Sequence, residues 1–187
     1  MRPTLTTERL SLGPLTEADL PDLVALNGDP RVMAFITGRA LTAAEVEADL
    51  PRLTRSERGL GLWTGTAGDG FAGVWFLVAD PDDETAAEIG WRLPHDRWGL
   101  GLATEGARAL LSYAFDVVGS RRVWAETMAV NARSRAVMER LGMRHAHTEV
   151  RTWEDPIPGW EQGEVVYELT RPGSVTSSRR GPWPPSD

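Results

Sequence analysis

The chain has 187 residues, 41% hydrophobic and 25% charged, the proportions of one soluble globular domain able to bury well over half of its unfolded surface. A formal net charge of −7 speaks against a nucleic-acid partner and suits a cationic substrate. Zero cysteines remove disulfides, thiolate zinc sites and a cysteine nucleophile, and no run approaches the roughly 18 apolar residues of a membrane span.

The N-terminal Met1-Arg2-Pro3-Thr4 lacks the apolar core of a signal peptide, so the expected compartment is the cytoplasm. Residues 9–13 read as a short first strand. Residues 16–27 read as a helix with Leu20, Leu23, Val24 and Leu26 apolar, its start drawn toward Pro21 and its end set by Gly28. Thr42-Ala43-Ala44-Glu45 is a capping box, in which each side chain satisfies the other's orphan backbone N–H, and opens a second helix reaching about residue 56. Residues 60–64, 71–78 and 85–93 then predict an antiparallel meander, with turn compositions at Gly68-Asp69-Gly70 and Asp80-Pro81-Asp82-Asp83.

A long helix follows Trp98-Gly99-Leu100-Gly101-Leu102-Ala103-Thr104-Glu105-Gly106. Ala103, Ala107, Leu110, Ala114, Val117 and Val118 recur at helical spacing as one buried stripe, and Gly119 ends it. Residues 122–127 form a strand, 131–141 a helix closed by Gly142, and 143–153 and 165–170 the last two strands. From residue 171 the chain is rich in Pro, Ser, Arg and Gly and reads as a disordered tail, leaving residues 1–170 as the domain.

The segment between residues 88 and 118 reads as a phosphate cradle. Two glycines spaced by one residue let backbone N–H groups approach a ligand without Cβ obstruction, and the helix N-terminus brings its partial positive charge to the same place. The natural guest is an anionic cofactor.

The order strand, Trp98-Gly-x-Gly-x-Ala-Thr-Glu, long helix, strand, Asn131-x-x-Ser134, short helix, Leu141-Gly142-Met143 resembles the GCN5-related N-acetyltransferase (GNAT) superfamily. Within it, the order resembles the branch that acetylates ribosomal-protein N-termini. Thr7-Glu8-Arg9-Leu10, Asp29-Pro30 and the helix opening at Thr42 fit that branch too, so that the resemblance covers roughly residues 5 to 170. It implies a mixed α/β domain with a central, mostly antiparallel sheet, about four helices, and two parallel strands that splay apart to admit acetyl-CoA. Unpaired backbone groups in the splay would bond the pantetheine arm as a sheet edge bonds a peptide.

On that resemblance the thioester sits near Trp91 to Leu93 and the pyrophosphate lies over the backbone amides of about Leu100, Gly101, Leu102, Ala103 and Thr104, with Gly99 a further cofactor contact and Trp98 where many members have Gln or Arg. An attacking amine arrives largely as ammonium, since an α-amino group has a pKa of roughly 8 and a lysine roughly 10.4. Glu88, flanked by Ala87 and Ile89, is therefore the expected base, its pKa raised by desolvation, though an outward-facing strand glutamate is the plain alternative. The position where the superfamily often has a tyrosine is Met138, which cannot donate a proton, so the resemblance moves the donor role to Ser134. Asn131 is implied as a cofactor contact. Asn131 also reads as a helix cap, and Ser134 as a backbone-bonding serine.

The acceptor is expected opposite the cofactor, between Arg31 and Phe35 on one side and the acidic, aromatic segment with Trp153 and Trp160 on the other, a composition that serves equally as a rigid hairpin. Gly99-x-Gly101-x-x-Thr104 with Glu126 downstream lacks the third glycine of a dinucleotide fingerprint. There is no nucleotide P-loop and no Gly-x-Ser-x-Gly elbow, so transfer in a ternary complex is the economical mechanism. His145-x-His147 lacks a third ligand, and no metal is expected. The expected activity is acetylation of a protein N-terminus or a small amine. An aminoglycoside-type acetyltransferase and a non-catalytic acyl-CoA-binding module are the alternatives, and the resemblance suggests a homodimer.

Overall fold

The computed structural model describes residues 2–68, 70–152 and 156–171. Its eight strands form one sheet in the order β1-β2-β3-β4-β5-β6-β8-β7. They are β1 (Leu5–Thr6), β2 (Ser11–Pro14), β3 (Gly61–Ala67), β4 (Gly70–Ala79), β5 (Ala86–Arg92), β6 (Arg122–Met128), β7 (Arg144–Glu149) and β8 (Glu164–Thr170). Every pairing is antiparallel except β5 with β6. The helices are α1 (Leu20–Asn27), α2 (Pro30–Met33), α3 (Ala43–Leu53), α4 (Leu102–Tyr113) and α5 (Ala132–Arg140).

The meander is pinned by tryptophan. Trp63 pairs with Trp75, and Trp75 with Trp91, so a row of indoles crosses three strands on one face. Aromatic cross-strand neighbours bury large areas and fix register together. Trp75 is fully buried, and its indole donates to the Ala103 carbonyl of α4 at 3.2 Å. Gly106 passes directly over that ring, where a Cβ would come within 2.5 Å of it. The sheet thus sets both the height and the direction of α4.

Two cores follow from the two faces. Leu12, Trp63, Trp75, Ile89, Leu110 and Val123 belong to one, beneath α4. Leu15, Leu23, Leu26, Met33, Val46, Leu50 and Val74 belong to the other, beneath α1 to α3. Strand alternation assigns Ile89, Trp91 and Leu93 to the first face and Glu88, Gly90 and Arg92 to the second.

The Thr42 to Glu45 capping box forms, and Pro21 stands in the first turn of α1. Residues 17–19 make a 3-10 turn, so the α-helix starts at Leu20. The second helix stops at Leu53, before the expected residue 56, just after Pro51 in its last turn. The strand expected over 143–153 ends at Glu149. The buried stripe of the long helix fails at Val117, which is 70% exposed. After Tyr113 the chain winds as a π-helical turn, residues 114–118, and the added residue per turn rotates Val117 off the stripe before Gly119 closes it. The expected tail lies, from residue 172 onward, outside the described residues. Among the described residues no helix is long and apolar enough to cross a membrane.

Candidate active site

β5 and β6 pair over three positions only, Ala86 with Arg122, Ala87 with Val123 and Glu88 with Trp124. β5 continues to Arg92 and β6 to Met128, so beyond Glu88 the two strands part and their facing backbone groups lack a strand partner. The gap opens into a cleft of about 1000 Å³. All the residues expected at the cofactor line it: Trp91, Leu93, Trp98, Gly99, Leu100, Gly101, Leu102, Ala103, Thr104, Asn131 and Ser134.

The loop into α4 is held open for a ligand. Gly99 and Gly101 have φ of 74° and 80°, left-handed values that exclude most side chains at low cost. The Trp98 indole donates to the Leu93 carbonyl at 2.8 Å, tying the loop to the end of β5, and the Arg133 guanidinium lies 5.1 Å over the same ring. Arg9 donates to the Leu100 carbonyl at 2.8 Å and to Glu105 at 2.7 Å. Glu105 also accepts from the Thr7 hydroxyl and the Arg9 backbone, which locks the first turn of α4 to the N-terminal segment.

Among the described residues no side chain caps α4, leaving the N–H groups of its first turn for a ligand. Among the described residues seven arginines line the cleft against two glutamates, in a chain whose net charge is −7. A basic cleft on an acidic protein, ending at an uncapped helix N-terminus, fits a phosphorylated guest such as the cofactor implied by the resemblance.

On the far wall Asn131 caps α5, accepting from the Ser134 backbone N–H at 3.2 Å while its amide donates to Thr127 at 3.0 Å. The cap uses only the backbone of Ser134, so the hydroxyl is available to the cleft. Met138, at the position often held by tyrosine, is buried and contributes no polar atom.

Glu88 is absent from the residues lining the cleft and sits deeper, at the point where the strands part. Its pKa is pushed from an ordinary 4.5 up to about 7, chiefly by burial and then by the charges of Glu126 and Asp80. Those two carboxylates are themselves engaged. Asp80 accepts from Trp124 at 2.9 Å and Arg122 at 3.1 Å, and Glu126 is gripped through both oxygens by Arg151 at 2.8 and 2.9 Å. Arg151 also binds Glu149 and Glu164, and burial, reinforced by Glu126, pushes the Glu164 carboxyl up.

Arg31 and Phe35, expected at the acceptor, line the cleft, with the Arg31 guanidinium turned back onto Asp29 at 2.6 Å. Trp160 lines a separate cavity of about 180 Å³ with Phe35, Ile36, Arg151 and Glu164, because Gly159 turns the segment into a 3-10 helix beside β8. It is thus one wall removed from its expected place. Trp153 lies outside the described residues.

Sequence reasoning missed the basic lining, Arg9, Arg97, Arg108, Arg133 and Arg140, because it comes from four separate segments. It also missed Arg92, for which a signal existed: Arg92 follows Glu88 at period two on the same strand face. Among the described residues no group of three metal-binding side chains occurs. His145 and His147 are separated by a register shift, with His145 bonded to Thr148 at 2.9 Å.

The profile of a family described as an acetyltransferase (GNAT) domain matches residues 9–144. A protein of Aspergillus fumigatus named FsC-acetyl coenzyme A-N(2)-transacetylase is 39% identical over 181 residues, covering 91% of this chain and 77% of its own. Among solved structures, RimL, a ribosomal alpha-N-protein acetyltransferase in complex with coenzyme A, matches with a TM-score of 0.76 at 19% identity over 90% of this chain and 98% of its own. A spermidine N-acetyltransferase from Vibrio cholerae, in complex with CoA and spermine, matches with a TM-score of 0.75 at 16% identity over 88% and 96%. At those identities the two structures share the fold.

Proposed function

The chain belongs to the GNAT acetyltransferase family, and on that premise we propose that it transfers the acetyl group of acetyl-CoA to a primary amine in the cleft between β5 and β6. The parting of the strands directly after Glu88, beside an uncapped helix N-terminus in a basic cleft, carries the reading. Acetyl-CoA, when bound, supplies the acetyl group as a thioester. The backbone of β5 from Gly90 to Leu93 would hold its amide-rich arm, and residues 99–104 with the surrounding arginines its phosphates.

The acceptor must lose a proton before its nitrogen lone pair can form the new C–N bond. Glu88, with a pKa of about 7, is matched to an α-amine of roughly 8 and takes that proton, directly or through a water. The C–S bond breaks as the C–N bond forms, and Ser134 donates a hydrogen bond to the departing sulfur. Its thiol pKa of roughly 8.5 makes CoA a good leaving group with little further help. No residue carries the acetyl group, so donor and acceptor are present together.

The acceptor is a peptide N-terminus or small molecule bearing an α-type amine, which the N(2) in the fungal relative's name supports. A second reading, a polycationic amino sugar, draws on the three carboxylates around Arg151 beside the smaller cavity. The proposal includes a cytoplasmic location and a homodimer, the latter open to light scattering. The test is thiol release from acetyl-CoA with a panel of N-terminal peptides, amino acid derivatives, aminoglycosides and spermidine, with mass spectrometry of the product. Thiol and acetylated amine in equal amounts support it. Binding of acetyl-CoA without thiol release for any of them favours the non-catalytic acyl-CoA-binding module.

A further inference from the structure

Arg92 is the last residue of β5 and lies on the strand face of Glu88, away from Ile89, Trp91 and Leu93. Val74 is its neighbour across β4, in the core beneath α1 to α3. It lines the main cleft alongside Arg31, Val32 and Phe35, the wall assigned above to the acceptor. A guanidinium has five N–H donors, yet among the described residues Arg92 makes one hydrogen bond, from Nη1 to the side-chain oxygen of Asn27. Asn27 is 4% exposed and neutral, so it orients the guanidinium without cancelling its charge. Asp49 is near enough to favour the charge, but both its oxygens are taken by Arg52 at 2.6 Å. Burial meanwhile holds the Arg92 pKa below its ordinary value.

A half-buried cation on a cleft wall, paired only with an amide, retains donors for a ligand. Carboxylate is the chemistry that a guanidinium fork matches best, through two parallel charge-assisted bonds. The other end of the same strand face carries Glu88, where the two strands part. We infer that Arg92 binds a carboxylate on the acceptor, so that the acceptor carries both a free amine and an acid, oriented with its amine toward Glu88. This rests on the acetyl-transfer reading and narrows its acceptor to amino acids and short peptides with a free amine and a free C-terminus, against polyamines and amino sugars.

The test measures kcat/KM by thiol release for matched pairs, free amino acids and dipeptides against their C-terminal amides. Wild type is expected to prefer the acids by at least about tenfold, chiefly through KM. Arg92→Gln should bring the acid-to-amide ratio to about one, and Arg92→Lys should restore part of it. Because loss of Arg92 can disturb folding, Asn27→Asp provides a second route: it keeps the guanidinium, gives it a carboxylate of its own, and should also erase the preference. Equal rates for acids and amides in wild type, or a ratio unmoved in both Arg92→Gln and Asn27→Asp, would overturn the role of Arg92 while leaving acetyl transfer standing. Absence of thiol release with every amine of both kinds would instead overturn the acetyl-transfer reading, and the role of Arg92 with it.

Discussion

Glu88 and Trp124 form the last rung of the parallel ladder between β5 and β6, and one residue later the sheet opens. The Glu88 carboxyl is therefore held at the end of the paired stretch, and burial there, reinforced by Glu126 and Asp80, raises its pKa.

If Glu88 is the base, Glu88→Gln should lower kcat by about 100-fold or more while leaving acetyl-CoA affinity within a factor of about two. The wild-type rate should rise with pH through an apparent pKa of about 7. The variant should lose that limb. Steady-state kinetics between about pH 5.5 and 9, beside binding titrations, measure both.

The same carboxyl links stability to pH. Its pKa is 4.5 ordinarily and about 7 in the fold, so between those values the folded protein holds a proton that the unfolded chain has released. Stability then falls as pH rises through that window, by up to about 3 kcal/mol, and the loss is complete above the folded value. Glu88→Gln escapes the loss. Its advantage over wild type in urea midpoint should be greatest near pH 8 and vanish below about pH 4.5.

Gly106 over Trp75 is a packing contact with no slack. A Cβ there would lie 2.5 to 2.9 Å from three atoms of a fully buried indole whose N–H is bound to Ala103. Gly106→Ala should destabilise by about 1–3 kcal/mol despite its better helix propensity, and should weaken acetyl-CoA binding by tilting the start of α4. Chemical denaturation with a cofactor titration checks both.

Asn131 and Ser134 separate structure from chemistry. Asn131→Ala removes the cap of α5 and the bond to Thr127, and should cost about 1 kcal/mol of stability. Ser134→Ala keeps the backbone N–H used by the cap, so the melting temperature should hold while kcat falls about tenfold. An unchanged kcat in Ser134→Ala would remove Ser134 from the reaction.

Local signals carried much of this architecture. The Thr42 to Glu45 box, Pro21, Gly99, Gly101 and Gly119 act within a few residues of their own position, so their effects survive into the fold at the predicted places. The sheet and its splayed pair were legible through resemblance to a family, not through periodicity. Features set by distant partners were not legible. The π turn over residues 114–118 that exposes Val117 leaves no mark in the apolar spacing, and the turn at Gly159 sets Trp160 against the smaller cavity. α2 was missed because a helix of four residues has no periodicity to read. The basic cleft was invisible for a related reason: its arginines are scattered through a chain whose overall charge is negative.

The most direct test is calorimetric titration of the protein with acetyl-CoA, followed by addition of an acceptor amine with thiol release monitored. The account predicts one site of micromolar affinity and release of thiol that depends on the amine. Absence of binding would contradict it at its root, since the parted strands, the glycine loop and the arginine-lined cleft would then have no ligand in common.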